Sequence, residues 1–155
     1  METSGKKPEI DAIDRKILRA LQREGRLSFR DLGSRIHMSS NATAERVRRL
    51  QAIGVIRGYH AEVDYAKLGF SLRAYVDIHL QPSVNAQAFE TVAAKLPGVV
   101  SVAILTGALD LRVRVACHDQ AELVQLIALL RSRAGAQETN TAVILREVET
   151  GIVME

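Results

Sequence analysis

Apolar residues recur with a helical period along the first third of the chain. Ile10, Ile13, Ile17, Leu18 and Leu21 stand at i, i+3, i+7, i+8 and i+11, one stripe of a helix over residues 10–25. Asp11 and Asp14 near its start and Arg23 near its end have the sense the helix dipole favours, and Gly25 is the expected C-cap. Ser28 with Asp31 three residues on resembles a capping box, with Asp in place of the preferred Glu. It opens a short second helix over 29–36 that buries Leu32 and Ile36, with Phe29 at its start. His37 and Met38 make a tight connection, and Ser39 is the N-cap of a third helix. There Ala44, Val47, Leu50 and Ile53 face inward. Glu45 and Arg49 point the other way, with Asn41 and Ala42 nearby and Arg46 and Arg48 on the two flanks. Gly54 ends this helix, and V-I-R-G-Y-H-A-E-V-D alternates as a small hairpin around Gly58. A helix, two short helices joined by a tight turn and a β-wing make a winged helix-turn-helix. That motif places the start of its last helix in the DNA major groove.

Periodicity breaks over residues 64–70, which read as a linker between a winged helix-turn-helix at 1–63 and a second domain at 71–155. From Ser71 to Leu80 the pattern changes to strict alternation. Leu72, Ala74, Val76, Ile78 and Leu80 face one way, Ser71, Arg73, Tyr75, Asp77 and His79 the other. A helix over 85–96 follows, with Phe89, Val92, Ala93 and Leu96 on one side, closed by Pro97-Gly98. Strands over 99–106 and 109–116 flank a tight turn at Gly107-Ala108. A longer helix reaches Arg133 with an inner stripe of Leu123, Leu126, Ile127 and Leu130, and a last strand covers 139–148. The order β-α-β-β-α-β is the split unit of a ferredoxin-like sandwich, so the chain as a whole is α+β. The sheet face away from the helices carries Tyr75, Val99 or Val100, and Ile144, which is too apolar to be left wet; a second copy is the economical cover, and a homodimer is expected.

Composition changes this picture little, but the distribution of charge changes it more. The 155 residues are 47% hydrophobic and 25% charged, with no Trp, and the net charge is +3. Up to His60, 13 Lys and Arg stand against 7 Asp and Glu, whereas beyond it 8 stand against 11. A basic first third before a mildly acidic remainder suggests an anion-binding module joined to a different kind of domain. No run approaches a membrane span and no signal-peptide core opens the chain, so a cytoplasmic protein is expected. Cys117 is alone, which excludes an intramolecular disulfide and a zinc site built on paired cysteines. His37, His60, His79 and His118 fall on a turn, a wing, a strand and a helix start, without metal spacing or a nucleophile partner. No catalytic residue, metal or cofactor is expected.

Double-stranded DNA is the partner that the basic module fits. Arg46 and Arg49 are the candidates for phosphate or guanine, and Asn41 for a base edge or phosphate. Ser39, Ser40 and Thr43 add polar groups at the helix start, beside Glu45 on the outward face. Arg48 and Arg57, on the wing side, are expected at phosphates, and Arg35 on the second helix at the backbone. Lys6 and Lys7, in a tail expected to lack structure, would add non-specific attraction. The bland alternative is a solvated arginine face with Glu45 and Arg49 as a plain i, i+4 pair. The basic first third speaks against an amino-acid sensor or scaffold without operator-specific DNA binding.

Several strings in order resemble the Lrp/AsnC, or feast/famine, family of transcription regulators over nearly the whole chain. They are I-D-x-I-D-R-K-I-L-x-x-L-Q-x-x-G-R from Ile10, E-R-V-R-R-L-x-x-x-G-V-I-x-G-Y from Glu45, L-P-G-V from Leu96 and T-G-x-x-D from Thr106. The resemblance implies a regulator that binds DNA as a dimer, often assembled to an octamer, working in the cytoplasm at the nucleoid. It also implies a small-molecule effector such as an amino acid, held between dimers near the turn joining the second and third sheet strands. Carried onto this chain, that site is Thr106, Gly107, Ala108 and Asp110, with Ala142 on the last strand. Gly107 suits a turn of positive φ, and Asp110 can accept from an ammonium group. Met38-Ser39-Ser40 departs from the family's usual Leu-Ser-Pro, which removes a proline at the first helical position but keeps the cap. Ala108 replaces a residue that is often larger or acidic, and Ala142 a frequent aromatic; both changes bear on the pocket.

Overall fold

The computed structural model describes residues 9–148, and the chain divides into two compact units between Glu62 and Val63. In the first unit α1 (Ala12–Arg23) starts at a reciprocal cap. The Asp14 N–H donates to Asp11 Oδ1 at 2.8 Å, and the Asp11 N–H donates to Asp14 Oδ2 at 3.1 Å. Its C-cap is Glu24 rather than Gly25, whose φ is not positive. In α2 (Phe29–Ile36) Ser28 Oγ accepts from the Asp31 N–H, and His37 ends the helix in the left-handed region at φ 61°. Ser39 then caps α3 (Ser40–Ala52) by accepting from the Ala42 N–H.

Ile17, Leu32, Ile36, Val47 and Leu50 form the core of this unit. That core is small, so the three side-chain caps, at about 1 kcal/mol each, are a sizeable share of what holds the helices. Ala44, Val47 and Leu50 are buried as expected. Ile53 is not: α3 ends one residue earlier, Ile53 becomes the C-cap, and its side chain is exposed. The expected wing is also missing as a hairpin. Residues 57–64 carry no strand and are exposed throughout, and Gly58 lacks the positive φ of a tight hairpin turn. The alternation that suggested strands has no buried side for its apolar members to face.

In the second unit the expected linker carries a short 3₁₀ turn, Tyr65–Leu68, capped by Asp64. After it come β1 (Leu72–Leu80), α4 (Ala86–Ala93), β2 (Val99–Ile104), β3 (Leu111–Cys117), α5 (Gln120–Leu129) and β4 (Ala136–Val143). The four strands form one sheet in the order β2-β3-β1-β4, every pairing antiparallel. This is the ferredoxin-like arrangement. Ala74, Val76 and Ile78 of β1 stand opposite Val115, Val113 and Leu111 of β3, and this face packs on Phe89, Ala93, Leu123, Leu126 and Leu130 of the helical layer.

Two expectations for this unit are corrected. The last strand runs over Ala136–Val143 instead of 139–148. A π-helical turn, Leu130–Ala134, follows α5 and closes at Gly135 with φ 92°, so the strand begins at once with buried Ala136. Beyond β4, Leu145 and Val148 are exposed. The outer sheet face is more charged than expected, although Val100 is exposed. Asp77 and Arg112 are register partners joined by two hydrogen bonds of 2.6 and 3.0 Å. Glu147 accepts from the Tyr75 hydroxyl and lies 3.2 Å from Arg114 and 3.8 Å from Arg73.

Candidate DNA-reading helix and effector turn

At 100° per residue, Asn41, Glu45, Arg48 and Ala52 fall on one stripe of α3, and all four are exposed. The side chains of Asn41, Glu45 and Arg48 make no hydrogen bond or ion pair with other described residues. The neighbouring flank, Ala42, Arg46 and Arg49, turns toward the start of α1. Arg46 Nη1 donates to Asp11 Oδ2 at 2.6 Å and to Asp14 Oδ1 at 3.0 Å. Arg49 Nη2 donates to Asp14 Oδ2, and its Nη1 to the Glu9 carbonyl at 3.4 Å. Asp14 is fully buried. Two guanidinium groups and a backbone N–H therefore share its two oxygens, which is how a buried carboxylate is made tolerable. Hydrogen bonding from the Asp14 N–H and then from Arg46 holds the Asp11 carboxyl below its usual range, and the hydrogen bonds of Arg46 to Asp11 and then Asp14 raise its guanidinium further. A groove of about 730 Å³ runs along this flank between Glu9, Asp11, Met38, Ala42, Glu45, Arg46 and Arg49.

The residues expected at DNA therefore separate. Ser40, Asn41, Glu45, Arg48 and Arg57 are exposed. Ser39 is exposed but spends its hydroxyl on the cap. Thr43 is fully buried, its Oγ1 donating to the Ser39 carbonyl at 2.8 Å, so it belongs to the packing of the turn and not to the outward face. Arg35 pairs with Glu24 at 2.7 Å across α2 and α1, with about half of each side chain exposed. Arg46 and Arg49 are tied to α1. Lys6 and Lys7 lie outside the described residues.

Two residues that place this helix escaped the pattern analysis. Asp14 reads in sequence as a first-turn acid, with no sign that it is the anchor of α3. Gly33 is the other. A Cβ there would lie 2.6 Å from the Met38 carbonyl oxygen and 3.0 Å from Thr43 Oγ1, so α2 and α3 approach closely only because that position has no side chain. A glycine inside a short helix, four residues before a cap, was the available signal.

In the second unit Thr106, Gly107 and Ala108 are exposed at the tip of the β2–β3 turn, Gly107 at φ 113° with open space where a side chain would go. Asp110 is already engaged. Its N–H donates to the Ile78 carbonyl at 3.1 Å, its carbonyl accepts from Leu105 at 2.9 Å, and its Oδ2 accepts from the Leu80 N–H at 2.8 Å. Ala142 stands opposite Tyr75, three residues along β1 from Ile78, which at about 3.3 Å per residue is roughly 10 Å from the turn. Within one chain it is not brought to Thr106. Among the described residues no group of three or more His, Cys, Asp and Glu is placed to hold a metal ion, and no helix of the described residues is long and apolar enough to cross a membrane.

A helix-turn-helix with an exposed polar stripe, joined to a ferredoxin-like unit, is the build of a ligand-responsive DNA-binding regulator. Comparison with known proteins agrees on both halves. The model of the AsnC-type helix-turn-helix domain matches residues 10–51, and that of the Lrp/AsnC ligand-binding domain matches residues 73–153. An uncharacterised HTH-type transcriptional regulator of Pyrococcus abyssi is 35% identical over 140 residues, 90% of this chain and 88% of its own. The leucine-responsive regulatory protein of Escherichia coli is 35% identical over 156 residues, covering 96% and 94%. Among solved structures, a feast or famine regulatory protein from M. tuberculosis complexed with L-methionine superposes with a TM-score of 0.87 at 28% identity, covering 94% of this chain and 99% of that one. The chain belongs to the Lrp/AsnC family and is a helix-turn-helix transcriptional regulator with a ligand-binding domain.

Proposed function

We propose that this regulator reads operator DNA with the Asn41–Glu45–Arg48 stripe of α3 and that its second unit binds an amino acid. The observation that carries the first part is that these three polar side chains share one exposed face and have no partner among the described residues. Asn and Arg are suited to bidentate contact with adenine and guanine in the major groove, and Glu can accept from cytosine. Ser40 and Arg57 are exposed and serve phosphates, and Arg35 joins them by exchanging its surface pair with Glu24. Arg46 and Arg49, tied to Asp14, act first as struts.

The M. tuberculosis complex with L-methionine supports an amino-acid effector, and we place the site at Thr106, Gly107, Ala108 and Asp110. Ala142 enters it only if a second subunit supplies it. A homodimer assembling further, as far as an octamer, gives such a shared site; Val100, Ile104, Leu105, Val143 and Leu145 are exposed apolar side chains that a second copy would cover. Action on DNA places the protein in the cytoplasm, at the nucleoid.

The test is selection of binding sites from random DNA, followed by a salt series. Arg48→Ala and Asn41→Ala should each weaken the selected site by about 1–3 kcal/mol and relax its sequence at separate positions. Unchanged affinity and sequence preference in both variants would move the reading face elsewhere.

A further inference from the structure

We infer that Asp11 is an affinity-limiting residue: it holds Arg46 against the protein and withholds that cation from the phosphate backbone. The inference rests on the DNA-binding reading above and deepens it.

The two carboxylates at the start of α1 are not equivalent. Asp14 is fully buried, and its oxygens are filled by Arg46, Arg49 and the Asp11 N–H. It cannot lose these partners without leaving an uncompensated charge inside the unit. Arg49 alone balances that charge. Asp11 is the looser member, with its side chain 47% exposed. Its Oδ1 caps α1 by accepting from the Asp14 N–H, a task that an uncharged Asn or Ser also performs. Its Oδ2 has a separate task, which is to accept from Arg46 Nη1 at 2.6 Å. Burial does not require this second contact, because Arg46 already reaches Asp14 and keeps 29% of its side chain exposed.

The contact does alter what DNA meets. With Asp11 present, two carboxylates face two guanidinium groups, and the charges of this four-residue cluster balance beside Glu9 and Glu45. Without the Asp11 charge the flank gains one unit of positive charge at the edge of the exposed stripe, on a side chain long enough to swing toward a phosphate. Each phosphate neutralised by the protein adds close to one to the slope of log affinity against log salt. A phosphate approaching Arg46 must first displace the Asp11 carboxylate, in an exposed site where such pairs are individually weak. The contact is therefore a restraint that DNA can overcome and not a lock. Its effect is to lower electrostatic, sequence-independent attraction while leaving Asn41, Glu45 and Arg48 free to read bases.

The experiment measures binding of the full-length protein to its selected operator and to a scrambled duplex between 50 and 200 mM salt. Wild type, Asp11→Asn, Asp11→Ser, Arg46→Ala and the Asp11→Asn/Arg46→Ala pair are compared. Both Asp11 variants keep a capping side chain, and a thermal melt confirms that each is folded. The expected result is tighter binding of both duplexes at low salt, with the loss between 50 and 200 mM growing by about three- to four-fold. In the Arg46→Ala background the Asp11 substitution should have almost no effect, because the cation it restrains is gone. Wild-type binding with an unaltered salt slope in both Asp11 variants overturns the restraint alone. An equal gain with and without Arg46 also overturns it, since any lost negative charge would then serve. No binding of DNA by the wild type overturns the DNA reading and the restraint together.

Discussion

Asp110, in the effector site proposed above, already commits part of its carboxylate to structure. Its Oδ2 holds the Leu80 N–H, which closes the β2–β3 turn against the end of β1. An ammonium group bound at the proposed site would therefore meet the other oxygen and the charge, not a free side chain. Asp110→Asn retains an acceptor for Leu80 and should leave stability within about 0.5 kcal/mol. Asp110→Ala leaves that N–H without its acceptor and should cost about 1 kcal/mol at this exposed turn. If Asp110 serves an amino-acid effector, Asp110→Asn removes the ligand-induced rise in melting temperature that a thermal-shift screen finds for wild type. An undiminished shift in a folded Asp110→Asn protein would take Asp110 out of the site. The sequence showed Asp110 as an acid at the end of a turn but not its backbone duty, because the partner belongs to a strand 30 residues away. The ties of Arg46 and Arg49 to the start of α1 were hidden for a related reason. A helical wheel of α3 ranks directions relative to Val47, yet only the packing of α1 decides which flank meets a carboxylate. Three of the four inward residues were legible, since burial follows the period; their polar neighbours were not.

Among the elements, the helices and the first three strands of the sheet were readable to within a few residues, because caps and period-2 alternation are local signals. The wing and the end of β4 were not. In both, alternation continues over residues that find no buried face, and pairing depends on what lies opposite. The β1–β3 pairing carries its own pH signature. Asp77 is held below the ordinary 3.8 by its hydrogen bond with Arg112, against a smaller opposing effect of burial. A carboxyl whose folded pKa is depressed contributes stability that is present above 3.8 and is lost as pH falls through the lower folded value. Asp77→Asn should cost on the order of 1 kcal/mol at neutral pH, the discount from a buried pair reflecting a half-exposed Arg112. The difference from wild type should shrink as pH falls below 3.8, as followed by urea unfolding across an acid series. A difference that stays constant to pH 2 would show that Arg112 does not act on Asp77 through its charge.

For the molecule as a whole, the sequence indicated two parts through the charge step near residue 60 and the loss of periodicity after it, and the chain does divide at Glu62. The two cores share no residue: Ile17, Leu32, Ile36, Val47 and Leu50 form one, and the sheet and its helices form the other. Chains of this kind depart from two-state unfolding, so calorimetry should resolve two transitions. Leu32 and Leu130 are each fully buried in one core. Leu32→Ala should lower one transition and Leu130→Ala the other, each by about 2–5 kcal/mol of stability. A single transition that moves with both substitutions would mean that the units unfold together. The same measurement shows whether the effector acts beyond its own unit. A ligand bound only to the folded second unit raises that transition by mass action and leaves the first where it was. If it also shifts the transition that Leu32→Ala identifies, the sites share a coupling free energy, and operator DNA must then alter effector affinity by the same factor.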